Sequence, residues 1–220
     1  MTKSTQSLDV ANPVGRAAVL IAVAGEGLSN SRLLLTRRSE RMTSHRGEVA
    51  LPGGKWEPGD ASLQATALRE AHEEVGLAPS LVKNIRALPV QTTRLGTQVA
   101  PFFANVPEIV TLTPCPVELE SLFWVPVELL QSDSRSQTDI FTVAGKEYWA
   151  PVYHYEGYKI WGFTARLLVD AMNRFYGAGI TRVHRAKEVA FGRPGQPAQP
   201  ACTRVKASPR GDESELCPSA

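Results

Sequence analysis

The chain's first patterned stretch is an unbroken apolar run, Ala17-Ala18-Val19-Leu20-Ile21-Ala22-Val23, which predicts a strand buried on both faces. A turn cluster over 25–31 follows, and Leu33-Leu34-Leu35-Thr36-Arg37-Arg38 reads as the hairpin partner of that strand. A short strand over 47–51 is expected to stop at Pro52-Gly53-Gly54. The period then changes. Leu63, Ala67, Ala71 and Val75 recur every four residues, predicting a helix over 62–75 with Asp60 or Ser62 as its cap and Gly76 as its end. Strands are expected over 85–91, 98–106 and 121–125, and a hairpin over 141–144 and 148–155. A second amphipathic helix over 162–176 turns Phe163, Leu167, Leu168, Ala171 and Phe175 inward.

These elements add up to an α/β fold, an α/β/α sandwich with a mixed sheet and two main helices, occupying 15–177. Residues 1–14 read as a flexible lead-in. From 178 to 220 the text becomes Pro/Gly-rich without apolar period, as in Gly192-Arg193-Pro194-Gly195, and predicts a disordered tail. A hydrophobic fraction of 43% is enough for a packed core. A net charge of +2 and the lack of a basic stripe argue against nucleic acid or an anionic membrane as partner. The 3 cysteines, Cys115, Cys202 and Cys217, match neither a disulfide framework nor a zinc site, and suit a reducing cytoplasm. The first residues lack a signal pattern, and the longest apolar run is too short to span a bilayer.

Chemistry concentrates in Gly53-Gly54-Lys55-Trp56-Glu57-Pro58-Gly59-Asp60 and in the helical run Arg69-Glu70-Ala71-His72-Glu73-Glu74-Val75-Gly76-Leu77. Glu70, Glu73 and Glu74 stand at i, i+3 and i+4, neighbouring positions on one helix face. Three carboxylates so placed repel one another, and hard cations with oxygen ligands would relieve that repulsion. The plain alternative is a solvated acidic face. The Gly-rich turn before the helix lets backbone come close to a ligand and offers N–H donors to phosphate oxygens. Carboxylates, Mg2+ or Mn2+, and a diphosphate make one coherent site in which the cation activates water.

Gly54 and the run 69–77 resemble the Nudix box, Gly-x5-Glu-x7-Arg-Glu-U-x-Glu-Glu-x-Gly-U with U aliphatic. The second half matches throughout, with Ala71 a small U. In the first half Asp60 stands where the family has Glu, and eight residues rather than seven separate it from Arg69, so no metal role is assigned to Asp60. The lengthened box resembles the coenzyme A pyrophosphatase branch. Leu34-Leu35-Thr36-Arg37-Arg38-Ser39 and Gly47-Glu48-Val49-Ala50-Leu51-Pro52-Gly53-Gly54 are similar to that branch's upstream signature, with Thr43 in place of its second Arg and Leu51 in place of its Phe. Arg41 and Arg46 lie close enough in sequence to substitute for that Arg electrostatically. The runs 116–126 and 160–166 are similar to the branch too.

The resemblance implies a Nudix-like α/β/α sandwich and metal-dependent hydrolysis of the diphosphate linkage of coenzyme A or acyl-CoA. Products would be 4′-phosphopantetheine, or its acyl form, and 3′,5′-ADP. Glu70 and Glu74 would be the main metal ligands, Glu73 a further ligand or base, and Glu118 or Glu120 the acid that completes the site. Arg69 would orient a carboxylate through a bidentate pair. Arg38, Arg41, Arg46, Gly53, Gly54 and Lys55 would contact a small-molecule nucleotide substrate, and the sequence leaves room for a homodimer. His72 reads as surface, and Trp161 and Phe163 as core rather than a stacking platform. The rival readings are a Nudix pyrophosphatase for ADP-ribose or a dinucleotide polyphosphate, and a non-catalytic nucleotide sensor.

Overall fold

A computed structural model describes residues 15–42, 45–143, 145–183 and 186–191. The proposed lead-in over 1–14, the stretch 192–220 and Thr43 lie outside the described residues. In chain order the elements are β1 (Ala17–Ala24), β2 (Arg32–Arg38), β3 (Val49–Ala50), β4 (Gly53–Lys55), α1 (Leu63–Val75), β5 (Lys83–Ala87), β6 (Gln91–Thr92), β7 (Gln98–Val106), β8 (Leu119–Pro126), α2 (Val127–Gln131), β9 (Gln137–Val143), β10 (Lys146–Tyr155), β11 (Tyr158–Ile160), α3 (Gly162–Tyr176) and β12 (Lys187–Phe191).

The main sheet runs β3-β2-β1-β7-β5, with β4 on β1, β6 on β7 and β8 on β2. It is mixed. β1 and β7 are parallel from Ala17↔Val99 to Ala24↔Val106, while every other pair is antiparallel. A smaller sheet, β11-β10-β9-β12, stands beside it.

Successive residues of a strand face opposite ways, and β1 is apolar at each position because both of its faces are covered. Ala18, Leu20, Ala22 and Ala24 enter one core with Leu63, Ala67, Ala71 and Val75 of α1. Val19, Ile21 and Val23 belong to the other core, with Leu167, Leu168, Ala171 and Met172 of α3. Helices therefore cover both faces of the sheet, the layered α/β arrangement that the pattern predicts. The alanines on β1 and α1 carry no bulk beyond Cβ, which brings the helix that holds the acidic run close against the strand.

Several elements differ from expectation. Gly53–Lys55, read as a turn, continues as β4 and pairs with Ala17–Val19. β1 thus shares one edge between β2 at its C-terminal end and β4 at its N-terminal end, with Leu20 N–H donating to the Pro52 carbonyl, 2.9 Å, between them. β9 begins earlier than its apolar residues suggest, at Gln137. Part of the stretch assigned to the tail, β12, lies parallel to β9.

Candidate active site

Ser62, the N-cap of α1, accepts a hydrogen bond from Ala65 N–H at 3.1 Å, and Gly76 closes the helix in the left-handed region at φ 70°. With Leu63, Ala67, Ala71 and Val75 facing the sheet, a turn of 3.6 residues carries Glu70 and Glu74 to the flank beside β4 and leaves His72 and Glu73 exposed. His72 is at the surface, as its position predicts.

Glu74 is the centre of the arrangement. Its side chain is only 5% exposed; Gly53 N–H donates to Oε2 at 3.1 Å, and Arg38 Nη1 lies 3.7 Å from Oε1. Burial nevertheless dominates and lifts its pKa to about 7, with Glu70 and Glu118 pushing the same way. Burial also raises the pKa of Glu70, against Arg69, and Glu73 and Glu118 add to the rise. The Glu70 carboxylate lies over Gly54, where a Cβ would fall 2.3 Å from Oε1. Gly53 faces β1, where a Cβ would fall 2.3 Å from the Ala18 carbonyl oxygen. Two adjacent glycines thus let β4 pass between a strand and a carboxylate.

Arg69 is a clamp. Nε donates to Asp60 Oδ1 at 2.9 Å and Nη2 to Oδ2 at 3.0 Å, while Nη2 also reaches the Lys55 carbonyl at 3.1 Å. Nη1 donates to Glu73 at 2.8 Å and lies 3.1 Å from Glu70. The carboxylate in the bidentate pair is Asp60, and Thr66, on the buried side of α1, adds a hydroxyl donor to it at 2.9 Å. Arg69 is the chief reason the Asp60 pKa falls to about 2. The pair ties the loop after β4 to the helix, so Asp60→Asn should lower stability by roughly 2 kcal/mol through two weakened charge-assisted bonds. That contribution is present above the ordinary carboxylate pKa, about 4, and lost as pH falls through about 2. Thermal melts of the two proteins should therefore converge in acid; a constant gap would refute the pairing.

The other expected residues separate into groups. Glu118 has no hydrogen bond or ion pair on its side chain among the described residues and adds its charge to Glu70 and Glu74, whereas Glu120 pairs with Arg37 at 3.2 Å. Glu73, 57% exposed, is held by Arg69 outside the buried pair. Arg38 joins the cluster, and its Nε is buried without a hydrogen-bond partner among the described residues. Arg41 and Arg46 are exposed, and Arg46 Nε donates to the Met42 carbonyl at 2.6 Å. The Lys55 side chain is exposed. Phe163 packs on the core below α3, and Trp161 is half-buried at its start with Lys159 over the ring. The anchoring role of Asp60 and Thr66 is the contribution that sequence reasoning missed; the only signal for it was the acidic residue at the box position.

The hard carboxylate oxygens of Glu70, Glu74 and Glu118 fit Mg2+ or Mn2+ by chemistry. Among the described residues no three such groups converge closely enough to hold an ion by themselves.

Residues 14–142 match the family model of the NUDIX domain. The chain belongs to the Nudix family. Relatives agree: Nudix hydrolase 15, mitochondrial, of Arabidopsis thaliana is 35% identical over 167 residues, 73% of this chain and 59% of that protein. The chain thus spans under two thirds of the plant relative's length. A Nudix hydrolase of Citrobacter koseri, NudL, described as uncharacterized, is 38% identical over 154 residues, 70% of this chain and 79% of its own. The crystal structure of a MutT/nudix family protein from Enterococcus faecalis superposes with a TM-score of 0.51 at 15% identity, covering 78% of this chain and 66% of that one, which is a likeness of fold. In this Nudix chain Gly54, Arg69, Glu70, Glu73 and Glu74 are the residues that resemble the family's box. No helix among the described residues is long and apolar enough to cross a membrane.

Proposed function

We propose that this Nudix protein hydrolyses the diphosphate linkage of coenzyme A or an acyl-CoA, yielding 4′-phosphopantetheine or its acyl form and 3′,5′-ADP. The observation that carries the hydrolase reading is Glu74, a carboxyl group only 5% exposed that feels the charges of Glu70 and Glu118, since its ionised form is costly there unless a cation shares its space. A divalent cation, Mg2+ or Mn2+, bound by Glu70 and Glu74 would offset the charge of the diphosphate and make water more acidic. Glu73 is the further ligand or base implied by the box, and Arg69 holds it at the rim.

Each residue's part follows from where it stands. Arg69 fixes the loop over 55–60 against α1, so the glycine backbone meets substrate as a preformed surface. Arg38, with a buried nitrogen lacking a partner among the described residues, supplies positive charge to a phosphate oxygen, and Arg41, Arg46 and Lys55 add exposed charge toward the 3′-phosphate. Water attacks one phosphorus, the bond from that phosphorus to the bridging oxygen breaks, and the other phosphate leaves with the oxygen. In this reading Glu118 takes the water's proton, which is supported by its being unpaired among the described residues while Arg69 engages Glu73 and Arg37 engages Glu120. The branch signature over 34–54 supports coenzyme A as substrate. A cytoplasmic site of action suits that substrate and the sparse cysteines.

Incubation with Mg2+ or Mn2+ and a panel of coenzyme A, acetyl-CoA, ADP-ribose and a dinucleotide polyphosphate tests the reading. Release of 3′,5′-ADP from coenzyme A with the highest kcat/KM is expected. Turnover of ADP-ribose alone would refute the substrate, and no turnover of any compound would favour a nucleotide sensor.

A further inference from the structure

A cleft of about 430 Å³ lies away from the acidic cluster, between β6, β10 and α3, and Gln91, Tyr148, Trp149, Arg166 and Asp170 are among its walls. A second opening shares Gln91, Tyr148 and Arg166 with it, so the two form one continuous depression. Arg166 is set between the rings of Tyr148 and Phe163, 5.1 Å from each, and is fixed by Nε donation to Gln91 Oε1 at 2.8 Å and Nη2 donation to the Thr92 carbonyl at 3.0 Å. One oxygen of Asp170, Oδ2, is buried with no hydrogen-bond partner among the described residues, although Oδ1 accepts from Arg174.

The lining selects against an anion. Lys146 and Arg166 are balanced by Glu147 and Asp170, so a phosphate gains little there. Aromatic and apolar walls, a fixed guanidinium donor and an unpartnered acceptor suit an uncharged chain bearing amides, whose carbonyl meets Arg166 and whose N–H meets Asp170.

Register places this cleft relative to the Nudix box. Gln91 pairs with Val99, Val99 with Ala17, and Ala17 with Lys55, the residue whose carbonyl Arg69 grips. The cleft and β4 therefore stand at the same end of the sheet, three strand spacings or about 14 Å apart. A flexible arm on the second phosphate would cover that distance.

We propose that the cleft between Tyr148, Arg166 and Asp170 binds the amide-bearing arm carried by the second phosphate of the substrate, a pantetheine-like chain. This assignment rests on the hydrolase reading for its role in turnover, but not for its binding chemistry.

Two measurements on the full chain test it. Pantetheine, which has no phosphoanhydride bond, is titrated in the millimolar range while side-chain NMR signals of Trp149 and Arg166 are followed. Saturable shifts are expected; signals that stay in place overturn the cleft. In kinetics, Tyr148→Ala and the isosteric Asp170→Asn should each raise the ratio of KM for coenzyme A to KM for ADP-ribose roughly tenfold, the loss of about one good contact. The second variant guards against misfolding of the first. An unchanged ratio in both also overturns it. Pantetheine binding with no turnover of either coenzyme A or ADP-ribose would sink the hydrolase reading and leave the cleft supported.

Discussion

Glu74→Gln should reduce kcat/KM by about three orders of magnitude, or roughly 4 kcal/mol of transition-state stabilisation, while making the metal-free protein more stable. Gln matches Glu in shape, and its amide oxygen can still accept from Gly53 N–H. What it cannot do is carry the charge. Glu74 titrates upward even after Gly53 and Arg38 have favoured its ionised form, so burial outweighs both and ionisation is a net cost to the fold. An acid whose pKa rises on folding stabilises the protein below its unfolded value, about 4.5, and that stability is lost as pH rises through about 7. The loss is about 3 kcal/mol. Melts in chelator should show wild type and Glu74→Gln alike near pH 4, with the variant ahead at pH 8. Mg2+ or Mn2+ should raise the Tm of wild type and leave the variant's nearly where it was. Wild-type turnover in Glu74→Gln, or equal melts across the pH range, would remove the basis of the proposed function.

The fold was legible where one pattern ran long enough to dominate. β1 and α3 carry their own evidence in a continuous apolar run and a stripe at helical spacing, and both lie within a residue of expectation. β4 was not legible, because two glycines signal a turn unless one knows that a neighbouring strand and a carboxylate both press on them. α2 is too short for a period and has no side-chain cap, and β11 has three residues; neighbouring structure supports each of them. The same holds for β12, whose pairing with β9 is invisible in a stretch dominated by proline and glycine farther on.

The site followed the same logic. Glu70 and Glu74 emerge together because helix geometry alone requires it. Arg69 was legible as a bidentate donor, but its partner Asp60 lies nine residues back, and only the folded loop reveals it. The different surroundings of Glu118 and Glu120 were out of reach for a specific reason. The β2–β8 register shifts between Arg37↔Ser121 and Arg38↔Leu119, leaving Glu120 opposite no residue, and the irregularity turns it onto Arg37. Strict alternation would have kept the two acids together.

The two glycines of β4 should respond to the same substitution in opposite ways. In Gly53→Ala the new methyl would stand 2.3 Å from the Ala18 carbonyl oxygen and 2.7 Å from Val19 Cα. Both belong to the backbone of a strand whose two faces are packed, so neither can retreat without moving the core. Gly53→Ala should therefore cost about 3 kcal/mol of stability, visible as a large drop in Tm. In Gly54→Ala the methyl meets the end of the Glu70 side chain, 2.3 Å from Oε1 and 2.4 Å from Cδ, and a side chain can rotate away. The fold should hardly notice. The Glu70 carboxylate, however, would be displaced by an ångström or more from the place it shares with Glu74, a misplacement worth roughly a hundredfold in rate. A stable but slow Gly54→Ala beside an unstable Gly53→Ala would show that β4 is pressed by structure on one residue and by chemistry on the next. If Gly54→Ala kept full activity, Glu70 would not be acting from the position described, and the site would have to be rebuilt around Glu74 and Glu118.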